Sequence, residues 1–243
     1  MMSEHVSLTD LLVIDIETVP GVSHYQDLPE EWKGLWKGKI SKTVPENLCA
    51  DDFYHERAGI MAEFGRIICI SAGFFYPQTG DEYAFKVKSV AGDLEKQVLT
   101  EFFELADKFY KKKPNFAFAG HNIREFDIPF ICRRSLVHGL NIPPFLQFSG
   151  KKPWEVNMVD TLQYWKFGDF KNYTSLSLLS AVLGVPTPKD DIDGSMVRRV
   201  YYEERNLPRI IEYCQKDVVA VANVILRFRN LPLLKPENIL VAG

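Results

Sequence analysis

The 243-residue chain is 46% hydrophobic, 13% aromatic and 25% charged, and its net charge at pH 7 is −3. These values exclude an intrinsically disordered chain, which has few aromatic residues and a high net charge. They also argue against a protein that coats nucleic acid through an overall basic surface, although they leave room for a local phosphate-binding groove. The length is sufficient for one large domain or two small ones.

The N-terminal region predicts neither a secretion signal nor a membrane span. Its apolar run, residues 11–14, is too short for either, and no basic segment precedes it. The four cysteines are widely spaced, and each lies in or beside an apolar run; they are Cys49, Cys69, Cys132 and Cys214. Because no pair has the spacing of a metal site, we expect buried, reduced thiols. We therefore expect a cytoplasmic protein without a membrane partner.

The first third of the chain predicts short strands separated by one long connection. Residues 11–16 predict a buried strand, and residues 18–65 follow as a segment interrupted by prolines. So long a connection usually has a function or carries structure of its own, and a short helix fits residues 51–64. Residues 67–75 are rich in β-branched and aromatic side chains and residues 82–87 alternate in polarity, which together predict a hairpin.

Beyond the hairpin, the apolar spacing predicts helices separated by short strands. One predicted helix has apolar residues at steps of four, four, three and four and ends in three lysines; these apolar residues are Leu94, Val98, Phe102, Leu105 and Phe109. Short apolar runs predict strands at 116–119 and 156–159. Further helices are predicted at 128–140, 175–184, 194–205 and 208–229.

This order of elements predicts an α/β domain with three layers. Strands come first and are followed by strands separated by helical crossovers, which favours a mixed central sheet flanked by helices. We expect an antiparallel hairpin at one side of the sheet and parallel strands at the other. Because no linker interrupts the pattern, we expect one domain over residues 1–243, with an insertion at about 18–65.

Acidic side chains at the ends of predicted elements are the most informative feature. Asp15 and Glu17 are separated by one residue in the first strand, so both side chains point to the same face. Two anions at the end of a buried strand require a cation or a helix N-terminus nearby. The alternative is a pair that simply faces solvent.

Two further acidic positions follow later in the chain. Asp127 comes directly before a predicted helix and could cap it, but a cap does not explain the Gly-His-Asn sequence at residues 120–122. Tyr213 and Asp217 are four residues apart on the last predicted helix, so phenol and carboxylate project together beside its apolar stripe. The alternative for this pair is an incidental contact at the surface.

Together, these positions resemble the three motifs of the DEDD superfamily of 3′–5′ exonucleases, in the branch whose third motif contains tyrosine. The matching residues are Asp15 and Glu17 for Asp-x-Glu, Asn122 to Asp127 for Asn-x-x-x-Phe-Asp, and Tyr213 to Asp217 for Tyr-x-x-x-Asp. The resemblance covers about residues 10–229 and is greatest to the stand-alone exonucleases related to the proofreading domain of family-B DNA polymerases. It implies a ribonuclease H-like fold and an active enzyme.

The resemblance implies a two-metal-ion mechanism with Mg²⁺ or Mn²⁺. Two divalent ions about 3.5–4 Å apart activate water and stabilise the leaving 3′-oxygen, and such hard cations prefer carboxylate oxygens. Asp15 is expected to bridge both ions, with Glu17 and Asp217 completing the site of the ion that activates water. Asp127 is expected to support the second ion. Tyr213 is expected to orient the attacking water or to help deprotonate it.

Substrate-binding candidates lie in the second motif and after a predicted strand. His121 and Asn122 could contact the terminal nucleotide, although a structural histidine is as common there. Phe126 could stack on a base or, more simply, belong to the core. Asp160 is expected to cap the helix that follows it, with a supporting role at the active site as the alternative.

Basic residues elsewhere are further candidates for contacts with phosphates. One stretch of the insertion combines lysines with tryptophans, as a flap that binds a nucleic-acid strand would; it contains Trp32, Lys33, Trp36, Lys37, Lys39 and Lys42. Lys189, Arg198 and Arg199 could bind phosphates or simply lie on solvated faces.

We therefore expect a metal-dependent exonuclease that releases nucleoside monophosphates from the 3′ ends of single-stranded nucleic acid, with DNA favoured over RNA. A role in proofreading or DNA repair would require partners or independent action, because a polymerase-sized region is absent. The alternatives are RNA trimming or small-nucleotide cleavage on the same fold, and a catalytically silent module that binds nucleic acid. The complete set of catalytic side chains argues against the silent module.

Overall fold

A six-stranded mixed sheet forms the centre of the computed structural model, which describes residues 6–45, 47–113, 115–152, 155–169, 171, 173–186 and 192–242. The strands are β1 (Leu11–Pro20), β2 (Gly65–Pro77), β3 (Tyr83–Ala91), β4 (Ala117–Gly120), β5 (Met158–Asp160) and β6 (Ile239–Ala242). Their order in the sheet is β5-β4-β1-β2-β3-β6. Strands β1, β2 and β3 pair antiparallel, whereas β4 and β5 continue parallel to β1, so the predicted mixed sheet is confirmed.

Helices cover both faces of this sheet. They are α1 (Glu30–Ile40), α2 (Ala50–Arg57), α3 (Glu95–Tyr110), α4 (Asp127–Val137), α5 (Thr161–Lys166), α6 (Leu176–Val182), α7 (Val197–Tyr202) and α8 (Leu207–Phe228). Helices α3 and α4 share one core with the sheet, and α8 shares another on the opposite face. No helix in the described part of the chain combines the length and apolar composition needed to cross a bilayer.

Alternation along β1 determines which face receives the acidic residues. Leu12, Ile14 and Ile16 pack towards α3 and α4, whereas Leu11 and Val13 pack towards α8. Because side chains alternate in a strand, the carboxylates of β1 lie on the same face as Leu11 and Val13. They are therefore directed into the space between the sheet and α8.

The predicted insertion contains two helices and a small aromatic core. The helix expected at 51–64 is the shorter α2, and α1 precedes it although the sequence analysis predicted no helix there. The Trp36 side chain is fully buried, lies edge-to-face against Tyr54 and Phe64 at centroid distances of 5.1 and 5.0 Å, and donates from Nε1 to the Ala50 carbonyl at 2.8 Å. This packing gives the segment a hydrophobic core of its own.

Element boundaries differ from the predictions where tertiary contacts decide them. Strand β1 extends past residue 16 to Pro20 because β2 pairs with it along this length. Leu94 is 68% exposed because it is the N-cap residue of α3 and precedes the buried stripe. The edge strand β6, which pairs parallel with β3, has no clear sequence signal, whereas the short helix α5 is the one that Asp160 is expected to cap.

Two of the four cysteines differ from the expectation of burial. Cys69 and Cys214 are buried, but Cys132 is half-buried and Cys49 is exposed. Cys49 occupies the N-cap position of α2, where its Sγ accepts from the Asp52 amide at 3.4 Å. A helix cap requires access to the first turn rather than burial, which explains the exposed thiol.

Replacing Trp36 by Ala tests whether the insertion is stabilised through its own core. We expect a loss of about 3–5 kcal/mol in the free energy of unfolding, typical of a buried aromatic residue, and a decrease in Tm of about 6–20 °C. Thermal unfolding followed by circular dichroism measures the change in Tm. The control is Trp32→Ala, since Trp32 is 40% exposed; equal effects of the two substitutions would contradict the packing described.

Candidate active site

The acidic pair of β1 lies next to an irregularity in its pairing with β2. Asp15 is opposite Ser71 and Glu17 is opposite Cys69, and the register shifts between Glu17 and Thr18. Bulges of this kind are common beside active sites because they change the direction of side chains. Carboxylate oxygens of Asp15 and Glu17 lie within 4.8 Å of one another and of the Cys214 Sγ.

Asp127 reaches the same place from the loop after β4. It is the first residue of α4, and its Oδ1 accepts from the backbone amide of Ile16 at 3.1 Å. Phe126, not Asp127, occupies the N-cap position, so the capping alternative is wrong. A hydrogen bond across 111 residues of sequence therefore attaches the second motif directly to the first.

Helix α8 supplies the third group of side chains. Tyr213 and Asp217 lie on one face and are hydrogen-bonded to each other. Between them, Cys214 is buried, with its Sγ 3.3 Å from Asp15 Oδ2 and 3.4 Å from the Asp15 carbonyl oxygen. The sequence analysis expected Cys214 only to be a buried, reduced thiol. Its contact with Asp15 depends on how α8 crosses the sheet, which the spacing does not reveal.

A buried polar ladder fixes α8 over the sheet beside the site. Ser71 Oγ of β2 lies 2.8 Å from Ser89 Oγ of β3, and Gln215 Nε2 of α8 donates to the same Ser89 Oγ at 2.9 Å. Buried polar groups that satisfy one another fix the relative position of the elements that carry them. This ladder was also missed, because isolated serines carry no recognisable pattern.

Burial and mutual repulsion raise the pKa of every carboxyl group whose shift is resolved in the cluster. Burial, followed by the charges of Asp217 and Asp127, holds the pKa of Asp15 well above its usual range. Burial and the charge of Asp15 do the same to the pKa of Glu17. The pKa of Asp127 is raised from 3.8 to about 7, mainly by burial, although amide hydrogen bonds oppose the shift. The cluster therefore resists holding its full negative charge without a cation.

The donor set fits hard divalent cations. The carboxylates of Asp15 and Glu17 lie close together, Asp127 approaches from the start of α4, and the charge of Asp217 from α8 acts on Asp15. Glu17 and Asp127 are buried, whereas Asp15 and Asp217 are half-buried. Mg²⁺ and Mn²⁺ prefer such oxygens and would remove the electrostatic penalty that raises the pKa values. The Cys214 thiol is the one sulfur atom in the described cluster of close ligand atoms, and its pKa is raised by burial, so it remains a protonated thiol.

Comparison with known protein families identifies the chain. A family model matches residues 60–233, more than half of the chain, and is described as a predicted 3′–5′ exonuclease related to the exonuclease domain of PolB. The chain belongs to this exonuclease family. Asp127, Tyr213 and Asp217 lie within the matched residues, whereas Asp15 and Glu17 precede them. The folded structure is what brings β1 of this exonuclease into contact with the matched region.

The fold of the exonuclease is similar to that of one part of a DNA polymerase. The family B DNA polymerase from the hyperthermophilic archaeon Pyrobaculum calidifontis superimposes with a TM-score of 0.51 at 15% sequence identity. The match covers 90% of this chain and 24% of the polymerase, so the chain spans about a quarter of that protein's length. The likeness confirms the predicted ribonuclease H-like α/β fold. A search of curated proteins found no match.

Asp160 organises the loop that carries the second motif of the exonuclease. Its carboxylate caps α5 through the amides of Leu162 and Gln163 at 3.0 and 3.3 Å, which confirms the predicted cap. The same carboxylate also accepts from the amides of Asn122 and Arg124, both at 3.0 Å. Four backbone amides thus converge on one buried side chain, whose charge also contributes to the raised pKa of Asp127.

Close packing at the end of β4 supports the same loop. A Cβ atom at Gly120 would lie 2.0 Å from Cγ2 of Ile123 and 2.9 Å from the Ile14 carbonyl oxygen, so only glycine fits. The next turn places Asn122 at a φ of 62°, a left-handed conformation that asparagine tolerates better than most residues. These two features let the loop turn back against β1.

The three residues predicted to bind substrate occupy different environments. His121 is held by Thr161 and Thr174, each 2.9 Å from one ring nitrogen, so its predicted nucleotide contact is replaced by a structural role. Phe126 packs on Phe130 at a centroid distance of 5.5 Å and on the core, as its alternative stated. The buried Asn122 Oδ1 has no hydrogen-bond partner in the described structure. Of the three, Asn122 alone has an unpaired polar side-chain atom among the described residues.

The predicted phosphate-binding residues are largely engaged elsewhere. Trp36 is buried and cannot stack on a base, and Lys33 and Lys39 form ion pairs with Glu30 and Glu63. Arg198 pairs with Glu203 and Arg199 with Glu204, whereas Lys37 and Lys42 are exposed and form no ion pair with a residue that the structure describes. Lys189 lies outside the described residues. Burial removes Trp36 from the flap predicted in the insertion, and the flap formed by the other residues stays a prediction.

Asp160→Asn tests the loop anchor. Asparagine must direct its NH₂ group at one of the backbone amides, which we expect to cost about 1–3 kcal/mol and to lower Tm by about 2–10 °C. Asp193→Asn is the matched control, since Asp193 accepts from the Ser195 amide in an exposed turn. Equal melting temperatures for the Asp160→Asn variant and the unmodified protein would show that the loop does not depend on this carboxylate.

The raised carboxyl pKa values predict a pH-dependent response to metal. Because the Asp127 pKa is about 7 in the folded protein and 3.8 ordinarily, folding binds protons, and stability in EDTA should fall as pH rises between these values. Saturating Mg²⁺ or Mn²⁺ should raise Tm by about 5–10 °C at pH 8 and by less at pH 5.5. Differential scanning fluorimetry measures both effects.

Two variants control this experiment. Asp127→Asn should reduce the pH dependence of stability in EDTA, leaving the part due to Asp15 and Glu17, and Asp15→Asn should abolish the increase in Tm with metal. An equal increase at both pH values, or one retained by Asp15→Asn, would contradict a cation site at these carboxylates.

Proposed function

We propose that the chain is a divalent-metal-dependent exonuclease that hydrolyses single-stranded DNA from its 3′ end and releases nucleoside monophosphates. The observation that carries this proposal is the convergence of carboxylates from three separate segments with one tyrosine beside them. The family of predicted 3′–5′ exonucleases to which the chain belongs supports the same reaction. The catalytic assignments are Asp15, Glu17, Asp127, Tyr213 and Asp217.

The carboxylates would hold two divalent ions. Asp15 and Glu17, with Asp217 from α8, form one side of the cluster, and Asp127 approaches from the start of α4. When bound, Mg²⁺ or Mn²⁺ supplies charge neutralisation, a lowered pKa for water and stabilisation of the leaving oxygen. The protein's contribution is to keep these carboxylates close together in spite of their repulsion.

Tyr213 acts as a hydrogen-bond donor in this proposal. Burial and the charges of Asp217 and Glu17 raise its pKa far above the ordinary value, so the phenol keeps its proton. It therefore orients the attacking water or the scissile phosphate rather than removing a proton. The motif resemblance left two roles open for Tyr213, to orient the attacking water or to help deprotonate it, and we propose the first.

The preference for DNA rests on the similarity of the fold to a family B DNA polymerase. Asn122 is the residue best placed to contact the terminal nucleotide, because its buried Oδ1 lacks a partner in the described structure. Phosphodiester chemistry itself does not distinguish DNA from RNA. Substrate preference is therefore an outcome of the experiment.

The proposal is tested with 5′-labelled single-stranded DNA, duplex DNA and RNA of one sequence, incubated with Mg²⁺, Mn²⁺ or EDTA. We expect a ladder that shortens from the 3′ end of single-stranded DNA only with metal. Asp15→Asn and Asp217→Asn should reduce the rate to background. Tyr213→Phe should reduce kcat by about 100–1000-fold, the usual effect of removing one transition-state donor.

Matched variants separate these effects from folding. Glu212→Gln changes an exposed acid on α8 that pairs with Lys216, and Tyr110→Phe changes an exposed tyrosine; both should retain full activity. Faster shortening of the RNA than of the single-stranded DNA would change the proposed activity to RNA trimming. Intact substrates under every metal condition, with unchanged binding by the Asp217→Asn variant, would instead identify a silent binding module.

A further inference from the structure

A lysine-rich groove lies on the face of the sheet opposite the carboxylates. It has a volume of about 990 Å³ and is formed between the sheet and α3, and we call it the α3 groove. Leu12 and Ala72 belong to its floor, whereas Asp15 points towards α8. Five lysines line it, namely Lys86 and Lys88 of β3 and Lys108, Lys112 and Lys113 at the end of α3. It is therefore separate from the candidate active site.

The charge of the α3 groove is mostly uncompensated. Lys113 is 3.7 Å from Asp10, but the other four lysines form no ion pair with any residue that the structure describes. Two acidic residues, Glu101 and Glu104, also line the groove, which leaves an excess of positive charge among its lining side chains. In a protein with a net charge of −3, such a concentration of lysine indicates a local site for an anion.

Aromatic rings accompany these lysines. Phe74 and Phe109 line the groove with their ring centroids 5.4 Å apart, and Tyr76 lies 4.8 Å from Phe74. All three side chains are only half-buried. Aromatic faces beside a row of cations are typical of surfaces that bind single-stranded nucleic acid, since bases stack while phosphates contact the lysines.

The spacing of the cations suits an extended polyanion. Lys86 and Lys88 are two residues apart on one face of β3, about 7 Å, and they pair with Phe74 and Ala72 of β2. Lys108 in the last turn of α3 and Lys112, just after the helix ends, lie on the opposite wall. The interval between Lys86 and Lys88 is comparable to the distance between successive phosphates in an extended strand.

We propose that the α3 groove binds the part of a single DNA strand that lies 5′ to the nucleotides in the active site. The proposal rests on the proposed function, because it assigns a second contact surface to the same substrate. Ala242 of the edge strand β6 lines the groove, so the groove reaches this edge of the sheet. A DNA strand that leaves the active-site face would pass around the same edge to enter the groove. From β1 to β6 this path covers three strand spacings, about 14 Å, before it crosses the sheet edge.

The experiment compares Lys88→Gln/Lys108→Gln with the control Lys96→Gln/Lys111→Gln. The control lysines are exposed residues of α3 and the position after it, and neither lines the groove. Binding of fluorescein-labelled dT20 is measured in EDTA by anisotropy over a range of salt concentrations. Hydrolysis of dT3, which is too short to reach the groove, is measured with Mg²⁺.

We expect the groove variant to bind dT20 about tenfold more weakly at 0.1 M salt and to lower the slope of log affinity against log salt by about 1.4, or 0.7 per lost phosphate contact. Hydrolysis of dT3 should be unchanged, and the control should match the unmodified protein throughout. Poly-glutamate binding that equals dT20 binding and is lost in the groove variant would overturn the proposal in favour of an acidic protein partner.

Two results distinguish failure of this proposal from failure of the proposed function. Equal dT20 affinity for the groove variant and the unmodified protein, or no measurable dT20 binding by either, would overturn the α3 groove as a DNA site. Weakened dT20 binding by the groove variant, with no hydrolysis of any substrate by the unmodified protein, would support the groove and overturn the exonuclease.

Discussion

The repulsion between buried carboxylates is the constraint around which the structure is organised. Asp15 and Glu17, in the middle of β1, are held close to Asp127, and burial raises the pKa of each. In a low-dielectric setting such groups either keep protons or require cations, and the arrangement is unfavourable for stability alone. The unfavourable electrostatic free energy of this cluster is typical of a site whose geometry suits bound cations rather than maximum stability.

Several long-range contacts maintain this unfavourable arrangement. The amide of Ile16 holds Asp127, the Cys214 thiol contacts Asp15, and the amides of two residues of the second-motif loop donate to Asp160. Each contact connects segments that are far apart in sequence. The scaffold thus opposes electrostatic repulsion with hydrogen bonds between β1, the loop after β4 and α8, and the cluster depends on all three being folded together.

Basic and aromatic residues have different roles in different parts of the molecule. In the insertion, the combination forms a structural core, because Trp36 is buried and nearby lysines are paired with acids. In the α3 groove, the same residue types lie at the surface, and most of the lysines have no acidic partner among the described residues. Composition along the chain is similar in the two cases. Only the burial and pairing of the side chains separate a core from a binding surface.

The sequence by itself determined the strongly periodic elements and the chemistry of the motifs. Helices α3 and α8, the first hairpin and the acidic motifs follow from local spacing, because helix and strand periods place side chains on defined faces. The tertiary structure decided the edge strand β6, the extent of β1 and the contact of Cys214 with Asp15. It also decided the raised pKa values. These properties depend on which distant segments meet and how much water they exclude, and no local pattern contains that information.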